Sequence, residues 1–310
     1  MQISEINLID EIDQNYPEVV LEWLLRDRTT RKNIVWATDI YAELGAGYQE
    51  KDSIERAAIT KENNDLIQPR VSKNAAIQQA RTRTKAEVMT PSWVCNMMNN
   101  HLDADWFGTP DVFNHENDDH TWIVNENPVR FPEGKTWQKY VDERRLEITC
   151  GEAPFLVSRY DTTTGEIISV ERRIGLLDRK FRIVNENAKD EEEWLKWAFR
   201  ALEASYGYEW QGDNLLLGRI NCFQTFVDNL QIRWNRGPTK EEAKRAALIV
   251  SWNLWQMDGL NGTTPIGKPE QQFEQMDIFS FMSGEERAPL CKIMNWRSNE
   301  SMLYISTREM

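Results

Sequence analysis

The chain has 310 residues and a net charge of −13, with 40% hydrophobic and 28% charged side chains. That length holds one large domain or two ordinary ones, and the composition is that of a soluble protein with a sizeable core. No run approaches about 18 apolar residues, and the acidic N-terminus lacks a basic-then-apolar leader, so the sequence predicts neither a membrane span nor a secretory signal. The acidic balance also argues against a protein that coats nucleic acid without specificity.

Cysteine and histidine usage predicts a reduced, cytoplasmic chain without a metal site. The four cysteines are scattered, none forms a Cys-x-x-Cys pair, and the three histidines show no metal-ligand spacing. Asp118, Asp119 and His120 could suggest a metal or nuclease site, but an acidic run in a loop is more simply a solvated one.

Residues 1–85 are predicted to form a helical N-terminal region. Apolar residues at helical spacing predict one or two helices within residues 4–26, and "NIVWATDIYAEL" (33–44) is expected to continue as a helix. Residues 50–85 are polar, and we interpret them as an exposed helical or extended arm.

The end of that arm carries a basic cluster. Residues 69–86 contain five basic side chains and no acid: Arg70, Lys73, Arg81, Arg83 and Lys85. A second basic cluster lies within residues 172–182. For each cluster the sequence leaves two interpretations open, a solvated helix face or a surface that contacts phosphates.

Residues 86–187 are predicted to mix helix, loop and strand. Thr90-Pro91 is a favourable opening for a helix over "SWVCNMMNNHL". Residues 103–136 are rich in Asp, Asn, Gly and Pro, which predicts loop with short strands, and "KTWQKYVDERR" predicts a short helix. Residues 162–187 are expected to form a hairpin and a further extended piece.

The remainder alternates strand-like and helix-like segments. "DEEEWLKWAFRALE" predicts a helix with an acidic first turn. "YGYEW" predicts a short strand that leads into a helix, and a helix from about Lys240 precedes an apolar element that ends at Asp258. This alternation predicts an α/β domain with a parallel sheet, in which ligands bind at the carboxyl ends of the strands.

The stretch "RLEITCGEAPFL" (145–156) raises the question of a cofactor loop. A short strand leads into Cys150-Gly151 and then into residues typical of a first helical turn. Alone, this pattern is an ordinary strand–turn–helix. However, Glu209 and Asp258 follow the next two strands. An adenosine-containing cofactor needs a tight turn, an acid for its ribose and a polar group for its adenine edge, in that order.

Four segments carry a resemblance to the adenine-specific (N6) DNA methyltransferases of restriction–modification systems. "EVMTPSWVCNMM" is similar to the Thr-Pro helix opening that precedes the family's cofactor loop. "EITCGEAPFL" is similar to the loop Asp-Pro-x-Cys-Gly-x-Gly-x-Phe-Leu, with Glu147 for the Asp and Ala153 for the second Gly. "YGYEWQGDNLLLGRINCF" and "WNLWQMDGL" are similar to the second- and third-strand segments. The resemblance covers residues 87–260 and is strongest to proteins labelled restriction endonuclease subunit M.

This resemblance implies a Rossmann-like, S-adenosylmethionine-dependent methyltransferase sheet in residues 86–310, after the helical region 1–85. It implies S-adenosylmethionine as cofactor and double-stranded DNA as partner, with the basic cluster at 70–85 as the DNA contact. Thr90 and Pro91 would border the methionine end of the cofactor. The remaining implied cofactor contacts are Glu147, Thr149, Cys150 and Gly151 around the methionine, Glu209 at the ribose, Trp210 stacked on adenine and Asp258 at the adenine amine.

The chain departs from the family at the catalytic motif. Family members carry Asn-Pro-Pro followed by Tyr or Phe, which holds and stacks on the flipped base. This sequence contains no Pro-Pro pair, and its one Asn-Pro, at Asn127, precedes the loop and lacks the aromatic. The catalytic residues are therefore unknown from the sequence, and a second methyltransferase or restriction subunit is the expected source.

Two hypotheses of different classes remain. The first is a cofactor-binding methyltransferase subunit that needs a separate catalytic half. The second is a degenerate, non-catalytic protein of the same fold that binds DNA or a protein partner. An NTPase is disfavoured because the sequence lacks the Gly-rich loop Gly-x-x-x-x-Gly-Lys followed by Ser or Thr.

Overall fold

A computed structural model describes residues 1–85, 87–267 and 287–307, apart from the side chains of residues 77, 80, 84 and 85. The α-helices are α1 (Leu8–Asn15), α2 (Glu18–Leu25), α3 (Arg56–Ile59), α4 (Ala75–Lys85), α5 (Ser92–Phe107), α6 (Trp137–Val141), α7 (Leu176–Asn187), α8 (Glu191–Glu203), α9 (Gly212–Trp234) and α10 (Lys240–Asn253). The strands are β1 (Asn114–Glu116), β2 (Trp122–Val124), β3 (Arg145–Glu147), β4 (Ser205–Glu209), β5 (Leu254–Gln256), β6 (Lys292–Asn295) and β7 (Glu300–Leu303).

The central sheet is parallel and has the strand order β3-β4-β5. β1 with β2, and β6 with β7, form two separate antiparallel hairpins. The expected mixed α/β architecture with a parallel sheet is confirmed. Among the described residues the parallel sheet has three strands, so it is smaller than the Rossmann-like sheet that the resemblance implies.

One hydrophobic core joins the N-terminal region to the sheet. Leu24 and Leu25 of α2 belong to the same buried cluster as Leu216 of α9 and Leu254 of β5. α2 packs against α10, and α7 and α8 pack together and against α9. The N-terminal residues therefore form one face of the core instead of an appendage to it.

Two predicted elements outside the stretch 145–156 are wrong. The segment 33–44 begins as extended backbone instead of helix, with Val35 bridged to Ser53. The Gln256 side chain of β5 holds it there, because it accepts from the Val35 N–H at 2.9 Å and donates to the Val35 carbonyl at 2.8 Å. Residues 176–187 form α7 in place of an extended segment. Ile183 and Val184 suggest a strand, but Leu177, Phe181 and Val184 bury one helical face.

The arm at 50–85 is also packed more closely than its polarity suggests. Ile54, Ile59 and Ile67 are buried in the main core, and Arg81 of α4 has no exposed surface. Helices expected within 4–26 and at 137–141, 191–203 and 240–253 are confirmed. No helix within the described ranges has the length and apolar content needed to cross a membrane.

We expect Gly212→Ala to destabilise the fold. An added Cβ would lie 2.0 Å from the carbonyl oxygen of Val35, so either α9 or the 34–37 segment must move. Overpacking of this kind costs about 1–3 kcal/mol, which urea denaturation would measure as a lower free energy of unfolding. Gly237→Ala is the matched control because no atom lies within 4 Å of its added Cβ. Equal stability of both variants would contradict the close approach.

Candidate functional site

A cavity of about 700 Å³ opens at the carboxyl ends of β3 and β4. Both strands end at a glutamate, Glu147 and Glu209, and the loop after β3 forms the floor between them. Seven of the nine residues that the sequence associates with a cofactor line this cavity: Thr90, Glu147, Thr149, Cys150, Gly151, Glu209 and Trp210. The parallel register of the sheet explains why residues so distant in sequence meet here.

The loop at 148–156 has an unusual backbone. Thr149, Gly151 and Ala153 have φ values of 46°, 53° and 66°, in the left-handed region that favours glycine. Ala153 therefore takes a glycine-like conformation despite its Cβ. The expected helix start at 153–156 is wrong, because these residues form a single turn and α7 begins at Leu176. That turn is nevertheless joined to α7, since Leu176 and Leu177 donate to the carbonyls of Phe155 and Leu156.

Glu147 fixes the far end of this loop. Its carboxylate accepts hydrogen bonds from the backbone N–H groups of Phe155 and Leu156, at 3.3 and 3.0 Å. Burial raises the pKa of Glu147 to about 8, against the lowering effect of these two bonds. Its side chain is therefore a buried acid whose charge responds to the occupant of the cavity.

Glu209 fixes the near end of the loop. It accepts from the Gly151 N–H at 2.9 Å and from the Gln211 N–H at 3.1 Å. Burial raises the pKa of Glu209 above its ordinary value. The next residue, Trp210, is 37% exposed and donates its indole N–H to the carbonyl of Ala37, so its ring is held beside the acid.

Two predicted cofactor residues do not line the cavity. Pro91 is the N-cap of α5, one residue beyond Thr90. Asp258 lies past the end of β5, where its carboxylate accepts from the backbone N–H groups of Leu260 and Asn261 in its own turn. Gln256 occupies the end of β5 and donates to the carbonyl of Trp210 at 2.7 Å.

The basic cluster is used mainly in ion pairs inside the protein. Arg81 is fully buried and pairs with Asp213 and Glu87, and Lys73 also pairs with Asp213. Burial favours a higher pKa for Asp213, but the charges of Lys73 and Arg81 outweigh it and hold that pKa below its usual value. Arg70 pairs with Glu87.

Arg70, Lys73 and Arg81 are therefore engaged by buried carboxylates, and the contact of the basic cluster with DNA stays a prediction. Arg83 is exposed and lines the cavity. The side chain of Lys85 lies outside the described residues.

Sequence reasoning missed three polar residues of the cavity wall. These residues are Glu87, Gln211 and Asn214. Arg81 donates hydrogen bonds to all three, including Gln211 at 2.8 Å and Asn214 at 3.2 Å. The available signal was position, since Gln211 and Asn214 flank the start of α9 directly after Glu209. Asn127, in the only Asn-Pro pair, lies elsewhere, where its carbonyl accepts from Arg182 of α7.

Comparison with protein families, with curated proteins and with solved structures finds no match to this chain. Among the described residues no group of three or more His, Cys, Asp or Glu side chains has an arrangement that could hold a metal ion. The site is therefore interpreted from its own geometry.

We expect Glu147→Gln to weaken the pH dependence of stability. The folded-state pKa of about 8 lies above the ordinary 4.5, so the folded state holds this proton more tightly, and stability falls as the pH rises between these values. Glutamine cannot ionise, so from pH 5 to 8 the variant should lose about 1–3 kcal/mol less free energy of unfolding than the parent protein.

Urea denaturation at pH 5, 6.5 and 8 measures this difference. Glu241→Gln serves as the control because that side chain is 83% exposed, and it should follow the parent protein. Parallel pH curves for all three proteins would show that Glu147 does not carry a raised pKa.

Proposed function

We propose that this chain binds S-adenosylmethionine and acts as the cofactor-binding subunit of an adenine-specific DNA methyltransferase. The observation that carries the proposal is the convergence of the loop at 148–156 and Glu209 on one cavity at the carboxyl ends of parallel strands. Adenosine cofactors occupy this position in α/β sheets.

The cavity suits the size and charge of this cofactor. Its volume of about 700 Å³ is in the range of small-molecule sites. Three acids and one base, Arg83, line it; the acids are Glu87, Glu147 and Glu209. Glu87 is already paired with Arg70 and Arg81, so Glu147 and Glu209 are the acids that a positive centre of the ligand, such as a sulfonium or an ammonium group, would meet.

Each wall has a part of the cofactor that it can hold. Glu209 is the acid available to the two ribose hydroxyls, and the exposed face of Trp210 offers a stacking surface for adenine. Glu147, Thr149 and Gly151 surround the place of the methionine portion. A positive ligand would favour the ionised form of Glu147, so binding should tighten as the pH rises toward 8.

When bound, S-adenosylmethionine supplies an electrophilic methyl group. Transfer to an adenine amine depends mainly on position and electrostatics, and the chain provides these at the cofactor side through the loop and the two acids. The turn that would hold a flipped adenine is absent from the sequence, which has no Pro-Pro pair. We therefore assign the base-holding turn to a second polypeptide, of the methyltransferase or restriction type.

The same absence favours a second candidate, a non-catalytic protein that binds DNA or a protein partner. The ion pairs of Arg70, Lys73 and Arg81 reduce the basic surface free for DNA, so DNA contact by this chain alone should be weak and sensitive to salt. Both candidates imply a cytoplasmic protein; the first has DNA and a second subunit as partners, and the second has DNA or a protein partner. Calorimetric titration with S-adenosylmethionine tests the first candidate directly, because that candidate requires the chain to bind this cofactor.

Glu209→Ala should weaken S-adenosylmethionine binding by about 1–3 kcal/mol, because the ribose hydroxyls would lose their acceptor in a buried site. Isothermal calorimetry at pH 7.5 measures the change. Glu192→Ala, an exposed acid on α8, should bind like the parent protein and controls for lost negative charge. If both variants bind S-adenosylmethionine with equal strength, Glu209 does not contact the cofactor.

The purified chain alone should transfer no methyl group to duplex DNA, because it lacks the turn that orients adenine toward the methyl group. The measurement is incorporation of radiolabelled methyl from S-adenosylmethionine into mixed-sequence DNA, with an active adenine methyltransferase as the positive control. Robust incorporation by this chain alone would show that it holds a base-binding turn of another sequence.

A further inference from the structure

An apolar groove of about 590 Å³ lies beside β3, the edge strand of the parallel sheet. Large apolar side chains that are 40–62% exposed line it: Met97, Met98 and Leu102 of α5, with Leu146 and Ile148 at the strand. Single exposed apolar residues are common on protein surfaces, but a contiguous set of this kind marks an interaction site.

The backbone of β3 also faces this groove. Arg145 pairs with β4, since its N–H donates to the carbonyl of Ala204 at 3.0 Å. Alternate residues of a strand direct their backbone groups to opposite sides, so the N–H and C=O of Leu146 point away from β4. Within residues 1–85, 87–267 and 287–307 no strand lies on that side of β3. Such an edge can accept an added strand.

A second, partly apolar cavity adjoins the same edge. Leu146 shares its face of the sheet with Tyr206, its partner in the register. These two residues line a second cavity of about 380 Å³ together with Trp255, Ile293 and Met302. A strand added at β3 would therefore meet apolar side chains of both cavities, and its sequence should be rich in apolar residues.

We infer that the open edge of β3 is the docking site for an apolar β-strand of a second, different polypeptide. A second copy is disfavoured because each chain carries a net charge of −13, so a twofold pairing would bring two strongly negative chains together. A partner of neutral or positive net charge avoids that repulsion.

The groove is continuous with the candidate site. Glu147, Ile148 and Phe155 line both the groove and the cofactor cavity. A docked strand would thus end beside the cavity, where the base-holding turn is missing. The docking surface is independent of the cofactor, while the identification of this strand with the catalytic partner rests on the proposed function.

The test uses fluorescein-labelled peptides of about ten residues, with a central run of Val, Ile and Leu and lysines at both ends, added to the full chain. Fluorescence anisotropy measures binding. Matched peptides with N-methylated backbones keep the side chains but lose the strand hydrogen bonds. We expect binding of the unmodified peptides and at least about ten-fold weaker binding of the methylated ones.

Two variants place the binding at β3. Leu146→Pro removes the outward N–H, and Met98→Glu puts a charge in the groove; each should weaken peptide binding at least about ten-fold. Leu44→Glu, at a 55% exposed site outside the groove, should bind like the parent protein. Thermal unfolding checks that each variant folds, and Met98→Glu keeps the test valid if Leu146→Pro does not fold.

Absence of peptide binding, or binding that both groove variants retain, would overturn the inference. So would self-association of the chain in sedimentation that Met98→Glu abolishes, because the occupant would then be a second copy. A calorimetric titration with S-adenosylmethionine is run on the same samples. If it fails while the peptides bind, the proposed function fails and the docking site stands.

Discussion

Two buried carboxylates, Glu147 and Glu209, hold the structure around the cavity together. Each ends a parallel strand and accepts backbone N–H groups of the loop at 148–156. These bonds hold Thr149, Gly151 and Ala153, three of five successive residues, in the left-handed backbone region. Local preferences alone would not maintain this conformation. Burial raises the pKa of both acids, so the bonds that shape the cavity are made by groups whose charge its occupant can change.

A second set of charges connects the N-terminal region to this cavity. Asp213, near the start of α9, forms ion pairs with Arg81 and Lys73, and the hydroxyl of Tyr41 donates a hydrogen bond to it at 2.8 Å. Because these partners come from residues 41–81, the division at residue 85 that the sequence suggests separates two stretches of one core. Three basic residues of the arm, Arg70, Lys73 and Arg81, neutralise Glu87 and Asp213.

The sequence predicts the parallel sheet and most of the cavity because both depend on local order. Strand-like runs followed by an acid or a glycine turn can be recognised along the chain, so the sequence predicts that Glu147, Gly151 and Glu209 lie together. The misses come from tertiary contacts that no local pattern encodes. Residues 33–37 are extended because Gln256 binds their backbone, and Asp258 turns back on its own loop. The charge of Arg81 gives no indication that its partner, Asp213, lies 132 residues away.

The position of the cavity explains how a parallel sheet of three described strands can form a site. The proposed cofactor side uses β3, β4 and the loop between β3 and α7, and Cys150, Ala153 and Leu156 of this loop lie in the main core. The side that would hold a second reactant lies toward the edge of β3, where Leu146 and Ile148 are exposed. Exposed apolar side chains at an unpaired edge are costly for an isolated protein, since they favour aggregation. Their presence next to the cavity is explained if a partner covers this edge, as we propose. The proposed docking surface and the proposed cofactor cavity would then meet at the residues that line both, Glu147, Ile148 and Phe155.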